Sequence, residues 1–188
     1  MIYKSNNDEE LMLLIAKNDN LAFGELYDRY ARKLVNFFYR MLNKDSAKSQ
    51  DFLHDLFLKI IEHPEKFNPE KKFSTWIYSI AYNMCKNEYK RNNYKAQYHE
   101  YLNQNSKQYY EFIKENSDMN NFSESLHSEL SQLDESQRIV FLLRYNDELS
   151  INEIAEITGS PTGTVKSRLF YVLKKLANKL AVFNPYSE

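Results

Sequence analysis

"SPTGTVKSRL", residues 160–169, holds one of only three glycines in a chain of 188 residues, and a second, Gly159, stands directly before it. Two glycines four residues apart, beside Pro161 and ahead of Lys166, Ser167 and Arg168, mark a corner between two helices. Upstream, "SINE" at 150–153 has the form of a capping box. In it the Ser150 hydroxyl accepts from the Glu153 amide while the Glu153 carboxylate reaches back. That helix is expected to run to Thr158 and to end on Gly159 in the left-handed conformation. The next is expected to start at Pro161, with Ser160 as its cap, and to continue to about Ala181. Ala155 is small enough for close helix approach, and Val165 plugs the corner.

On a wheel of about 100° per residue, Val165, Leu169, Val172, Leu173, Leu176 and Leu180 fall on one side and face a core. Gly163, Ser167, Phe170, Tyr171 and Lys174 fall opposite, flanked by Thr164, Lys166 and Arg168. Cations and donors near the N-terminal end of a second helix fit the major groove of duplex DNA. Gly163 is expected to let that helix sit tightly at the groove. The charge pattern agrees. Residues 161–180 carry five cations and no acid, whereas residues 131–160 carry two cations against six acids. Such an alternation aims one basic face at one partner.

The composition excludes several classes. Three glycines and four prolines are too few for a turn-rich β fold and predict long helices. The single cysteine, Cys85, rules out an internal disulfide framework or a Cys-based zinc site, and fits a cytoplasmic location. No apolar run reaches the roughly 18 residues of a membrane span, so no stable membrane insertion is expected. The opening "MIYKSNNDEELMLL" is polar and acidic, unlike a signal peptide.

Amphipathic spacing predicts helices over Leu21–Met41, about Ala47–Ile61 and about Phe73–Arg91, with a shorter one near Glu9–Lys17. The second of these buries Phe52, Leu53, Leu56, Phe57, Ile60 and Ile61. The third buries Phe73, Trp76, Ile77, Ile80, Ala81 and Met84. "HPEKFNPEKK", 63–72, holds two prolines and is a loop. Residues 93–126, rich in Asn, Gln, Ser and Tyr, read as a partly disordered linker in which Tyr109–Ile113 can dock. Order resumes at about His127, and 135–145 forms a helix. The fold class is all-α: a helical bundle over 1–92 and a helix-turn-helix domain over 127–188.

Two further faces carry chemistry. Opposite the core stripe of the Ala47–Ile61 helix lie Asp51, Asp55, Leu58, Lys59 and Glu62. An exposed leucine among acids suits a protein contact, because a phosphate would be repelled. On the Phe73–Arg91 helix, Thr75, Ser79, Tyr82, Lys86, Tyr89 and Lys90 point away from the core stripe, beside Asn83 and Arg91. Rings interleaved with cations suit single-stranded DNA, where each stacked base is worth about 1–3 kcal/mol. That is comparable to the few kcal/mol needed to extrude a base.

These residues also resemble a known family. "LDESQRIVFLLRYNDELSINEIAEITGSPTGTVKSRLFYVLKKL", 133–176, resembles region 4 of bacterial sigma factors, and "DFLHDLFLKIIEHPEKFNPEKKFSTWIYSIAYNMCKNEYKR", 51–91, resembles region 2. The two regions in this order, with a short linker between them, are similar to the extracytoplasmic-function (ECF) group. The resemblance implies that Lys166, Ser167, Arg168 and Phe170 read the minus-thirty-five duplex, with Thr164 and Lys174 on phosphates. Tyr171 stands where many members carry a basic residue. It implies that the loop 63–72, including Phe67, forms the pocket for a flipped minus-ten base, and that the face of Tyr82, Asn83, Lys86, Tyr89, Lys90 and Arg91 holds the melted strand. It implies that Asp51, Asp55, Leu58, Lys59 and Glu62 dock on the polymerase clamp. Expected partners are core RNA polymerase, promoter DNA and an anti-sigma factor.

A stand-alone operator-binding repressor is the alternative, but it leaves the Asp51–Glu62 face and the aromatic-basic helix without a role. A helical metalloenzyme using Asp51, His54, Asp55, Glu62 and His63 lacks a second ligand-bearing helix. No nucleophile set, P-loop or dinucleotide fingerprint is present, so no enzyme activity, cofactor or metal is expected.

Overall fold

The computed structural model describes residues 3–102 and 118–183, with side chains for 3–92 and 122–183. Every regular element among them is helical. The segment Tyr109–Ile113 lies outside the described residues.

The N-terminal half opens with α1 (Asp8–Ile15), α2 (Asn20–Met41) and α3 (Ser46–Glu62). Each starts where an Asx side chain accepts from an otherwise unpaired first-turn amide: Asn7 from Glu10, Asp19 from Leu21 and Ala22, Asp45 from Lys48. Then α4 (Phe73–Leu102) runs well beyond its expected end at about Arg91. Its first amide, Phe73 N–H, has no partner within the helix and donates to Glu9 Oε1 of α1 at 2.8 Å. One carboxylate therefore both caps α4 and fixes α1 against it.

Leu26, Leu34, Phe38 and Met41 of α2, Leu56 and Ile60 of α3, and Phe73, Ile77 and Ala81 of α4 are all fully buried. Burying each large side chain contributes about 1.5–3 kcal/mol. Ile61, placed in the core stripe by its spacing, is instead 48 % exposed. α3 ends one residue later, ahead of Pro64, and among the described residues its last turn is left open on that side. Trp76 packs where its helical phase put it, with ring centroids 5.2 Å from Phe67 and 5.8 Å from Phe73.

The C-terminal half contains α5 (Asp118–Ser131), which begins before His127, then α6 (Glu135–Tyr145), α7 (Ile151–Thr158) and α8 (Thr162–Lys179). The Ser150–Glu153 capping box is present in both directions. Gly159 has φ 63°, in the left-handed region where a side chain would be strained. Around it the Ser160 amide donates to Ala155 at 3.1 Å and the Gly159 amide to Glu156 at 3.3 Å, a Schellman termination.

Two details of the corner differ from expectation. Pro161 is extended (ψ 146°) and α8 begins at Thr162, with no side-chain cap. The Ser160 hydroxyl does not cap; it accepts from Arg168 Nη1 at 3.0 Å. Leu173, assigned to the core, is 42 % exposed, whereas Val165, Leu169, Val172 and Leu176 are buried.

The two halves pack on each other, and their buried apolar side chains form one continuous cluster. α4 lies between them. It faces α2 and α3 on one side and α7 on the other. Two residues expected on its exposed face are consequently covered: Thr75 is 4 % exposed, and Tyr89 is half-buried with its hydroxyl donating to the Met41 carbonyl.

Candidate nucleic-acid interface

α8 leaves the corner with its N-terminal turns outward. Lys166, Ser167, Phe170 and Lys174 are exposed, while Thr164 and Arg168 are half-buried. Ser167 donates to the Thr164 carbonyl at 3.0 Å, which holds its hydroxyl along the helix surface. Phe170 is 61 % and Tyr171 60 % exposed, their rings edge-to-face at 5.5 Å. No acidic side chain stands on this helix, so phosphates would meet cations and donors only. A Cβ added at Gly163 would meet nothing within 4 Å. The tight packing expected there is absent from the protein itself.

The basic-aromatic stretch of α4 is divided. Asn83, Lys90 and Arg91 are exposed, and Lys86 stands over the Tyr82 ring at 5.9 Å. Arg91 pairs with Glu88 at 2.6 Å. Glu88 is almost fully buried and also holds Lys48. Burial alone would raise its carboxyl, but the hydrogen bonds from Lys48 and Arg91 hold it below the usual range. Tyr82 is half-buried, and its phenol is raised by burial and by Glu135, with Arg168 acting oppositely.

Phe67 is not an open platform. It is 6 % exposed and seals the end of the bundle against Phe73 and Trp76. The loop carrying it is tied across to α7 by Lys71–Glu156 and Lys72–Glu153 ion pairs, each 3.0 Å. Arg138 of α6 donates to the Tyr89 hydroxyl at 2.7 Å and lies over its ring at 5.5 Å. Burial first, and nearby Cys85 and Glu135, push the Tyr89 phenol up to about 12 against the pull of Arg138.

Sequence reasoning missed Asp147, Arg138, Glu153 and Glu156 as partners of α4 and its loop. The acid-rich stretch 131–160 was the available signal, since a cluster of acids in a chain with strongly basic elements has cations to meet.

On the other side of the bundle, Asp51, Asp55, Lys59 and Glu62 are exposed around Leu58, itself 51 % exposed. With Ile61 it makes an apolar spot inside a charged rim, as at the centre of a protein–protein interface. Among the described residues no group of three or more His, Cys, Asp or Glu is placed to hold a metal ion.

The described geometry has matches among known proteins. The family model for sigma-70 region 2 matches residues 26–94, and that for sigma-70 region 4 matches 123–176, in the order seen here. The chain belongs to the sigma-70 factors of the ECF type. The ECF RNA polymerase sigma factor SigW of Bacillus subtilis is 29 % identical over 165 residues, 82 % of this chain and 87 % of that one. Among solved structures, CnrH in complex with the cytosolic domain of CnrY shares the fold at TM-score 0.69 and 21 % identity, over 96 % of this sigma factor and 99 % of CnrH. The sigma factor RpoE bound to the anti-sigma factor NepR, from Bartonella quintana, gives TM-score 0.68 at 19 % identity, over 85 % and 97 % of the two chains. No described helix is long and apolar enough to cross a membrane.

Proposed function

We propose that this sigma factor reads the minus-thirty-five element with Lys166, Ser167, Arg168 and Phe170, while Thr164 and Lys174 hold phosphates. The observation that carries this reading is the outer face of α8, basic and free of acids, set on a corner terminated by Gly159. The melted minus-ten strand lies along α4 on Tyr82, Asn83, Lys86, Tyr89, Lys90 and Arg91, with the Phe67 loop receiving a flipped base. Tyr82 and Tyr89 are partly covered when the halves are closed, so this step requires the C-terminal half to swing away, and Phe67 must also leave its place against Phe73 and Trp76. Asp51, Asp55, Leu58, Lys59 and Glu62 dock on core polymerase from the opposite side of the bundle. That side is open in the closed form, so docking does not require the halves to separate.

The chain works in the cytoplasm, without catalysis of its own, and the chemistry of transcription belongs to the polymerase. An anti-sigma factor is a partner, a role supported by the complexes in which similar folds occur. The deciding experiment is reconstitution with core polymerase on genomic DNA, followed by transcript mapping and permanganate probing of unpaired thymines. Defined start sites, with reactive thymines around minus ten that disappear in Tyr82→Ala, support the assignment. Starts that are independent of the added chain overturn it.

A further inference from the structure

At the seam between the halves lies a cavity of about 330 Å³, walled by the end of α2, by α5 and by α6. Its size is at the lower edge of small-molecule sites. Arg40 and Lys44 enter from one half and Arg138 from the other, and among the described residues Glu124 is the only acid in the wall. Neither Arg40 nor Lys44 makes an ion pair among the described residues. Arg138 is only 8 % exposed, and its Nε has no hydrogen-bond partner. A buried, unpaired guanidinium donor is expensive and calls for an acceptor.

The backbone points the same way. Asn43 (φ 56°) and Lys44 (φ 64°), both in the wall, are consecutive left-handed residues and neither is glycine. Strain of this kind, of order 1–3 kcal/mol per residue, gathers at ligand clamps. His127, also in the wall, has its imidazole lowered by burial first and then by Lys44, Arg138 and Arg40. A neighbouring hollow shares Asn36 and Arg40 with it, and there Lys33 and Arg40 face the one carboxyl of Asp147. The remaining wall combines Leu126, Leu130, Leu142 and the ring of Tyr39 with the neutral polar side chains of Asn36, Ser123 and Ser131.

We propose that this cavity binds a small phosphate-bearing ligand of the nucleotide class, phosphates on Arg40, Lys44 and Arg138 and ring against Tyr39 and Leu126. Cations from the two halves repel one another across the seam, and a polyanion between them reverses the sign of that interaction. Because both halves build the wall, the ligand binds the closed form and opposes the separation that DNA binding needs. The sigma factor would thus be held back by a metabolite that carries phosphate. This regulation rests on the promoter-reading role proposed above, whereas binding to the cavity does not.

The test is calorimetric titration of the full chain with ATP in magnesium-free buffer, with inorganic pyrophosphate and adenosine in parallel. Saturable one-site ATP binding is expected. Arg40→Gln with Lys44→Gln should weaken it at least tenfold with the circular dichroism unchanged. Lys17→Gln with Lys179→Gln, an equal loss of charge elsewhere, should leave it intact. Tyr39→Ala should weaken ATP and not pyrophosphate. The absence of saturable ATP binding, equal weakening by the Lys17/Lys179 pair, or adenosine binding as well as ATP would each overturn the site.

Discussion

The Tyr78 hydroxyl of α4 donates a 2.5 Å hydrogen bond to Asp147 Oδ1, in the turn after α6, and so joins the two halves of the sigma factor. Burial pushes the Asp147 carboxyl up to about 6, despite the opposing hydrogen bond and the charges of Arg40 and Lys33. A carboxyl whose pKa is raised by closing favours the closed form fully below its free value near 3.8, and that support is lost as pH rises through about 6. Over that window the change amounts to about 3 kcal/mol. Small-angle scattering should therefore show a more compact chain at pH 5 than at pH 7.5. Asp147→Asn should stay compact at both, and a radius independent of pH in the parent chain would refute the linkage.

Lys166→Ala and Arg168→Ala should each weaken promoter binding and reduce its salt dependence, because each removes a cation from the face that meets the polyanion. Arg168 also holds Ser160, so its variant should lose a little thermal stability as well. A salt titration with parent-like slopes in both variants would exclude this face.

Asp55→Arg should abolish co-purification with core polymerase while leaving the helical signal and melting temperature unchanged, because Asp55 is exposed and makes no ion pair among the described residues. A parent-like yield of holoenzyme would move the docking surface elsewhere.

Gly163→Ala should stabilise the chain by about 0.5–1 kcal/mol, since the site is helical and its surroundings are open. If it also reduces promoter affinity several-fold, the bound duplex approaches α8 closely at this point. Unchanged affinity would leave Gly163 with no role at the groove.

Glu88→Gln should cost about 1.5–3 kcal/mol at pH 7, by leaving Lys48 and Arg91 with a neutral partner. The carboxyl is held low in the folded chain, so its contribution is present above about pH 4.5 and fades on acidification. Parent and variant should converge in urea melts toward pH 3, and a gap that persists there would show a purely steric cause.

What the sequence disclosed was local. Caps, periodicity and the Gly159 termination involve neighbours within a few residues, so α2, α3 and the α7–α8 corner were legible. Phe67, Thr75 and Tyr89 were not. A wheel drawn for one helix assigns every residue off its stripe to solvent, whereas α4 meets α7, its Tyr89 is held by Met41 of α2 and Arg138 of α6, and the loop residue Phe67 folds back onto Phe73 and Trp76. Ser160 was misread for the same reason, because its hydroxyl answers to Arg168 on the following helix rather than to the turn it precedes. Leu58 was legible as an oddity, a large apolar side chain where the pattern called for a charge.

The carboxylate of Glu153 serves two masters. One oxygen accepts the Ser150 amide at 2.9 Å and starts α7, and the other accepts Lys72 at 3.0 Å and ties down the loop. A genetic screen for constitutively active alleles should therefore recover changes at Lys72 far more readily than at Glu153. Freeing the strap from the lysine side leaves α7 as it is, whereas freeing it from the glutamate side also removes half of the capping box that starts that helix.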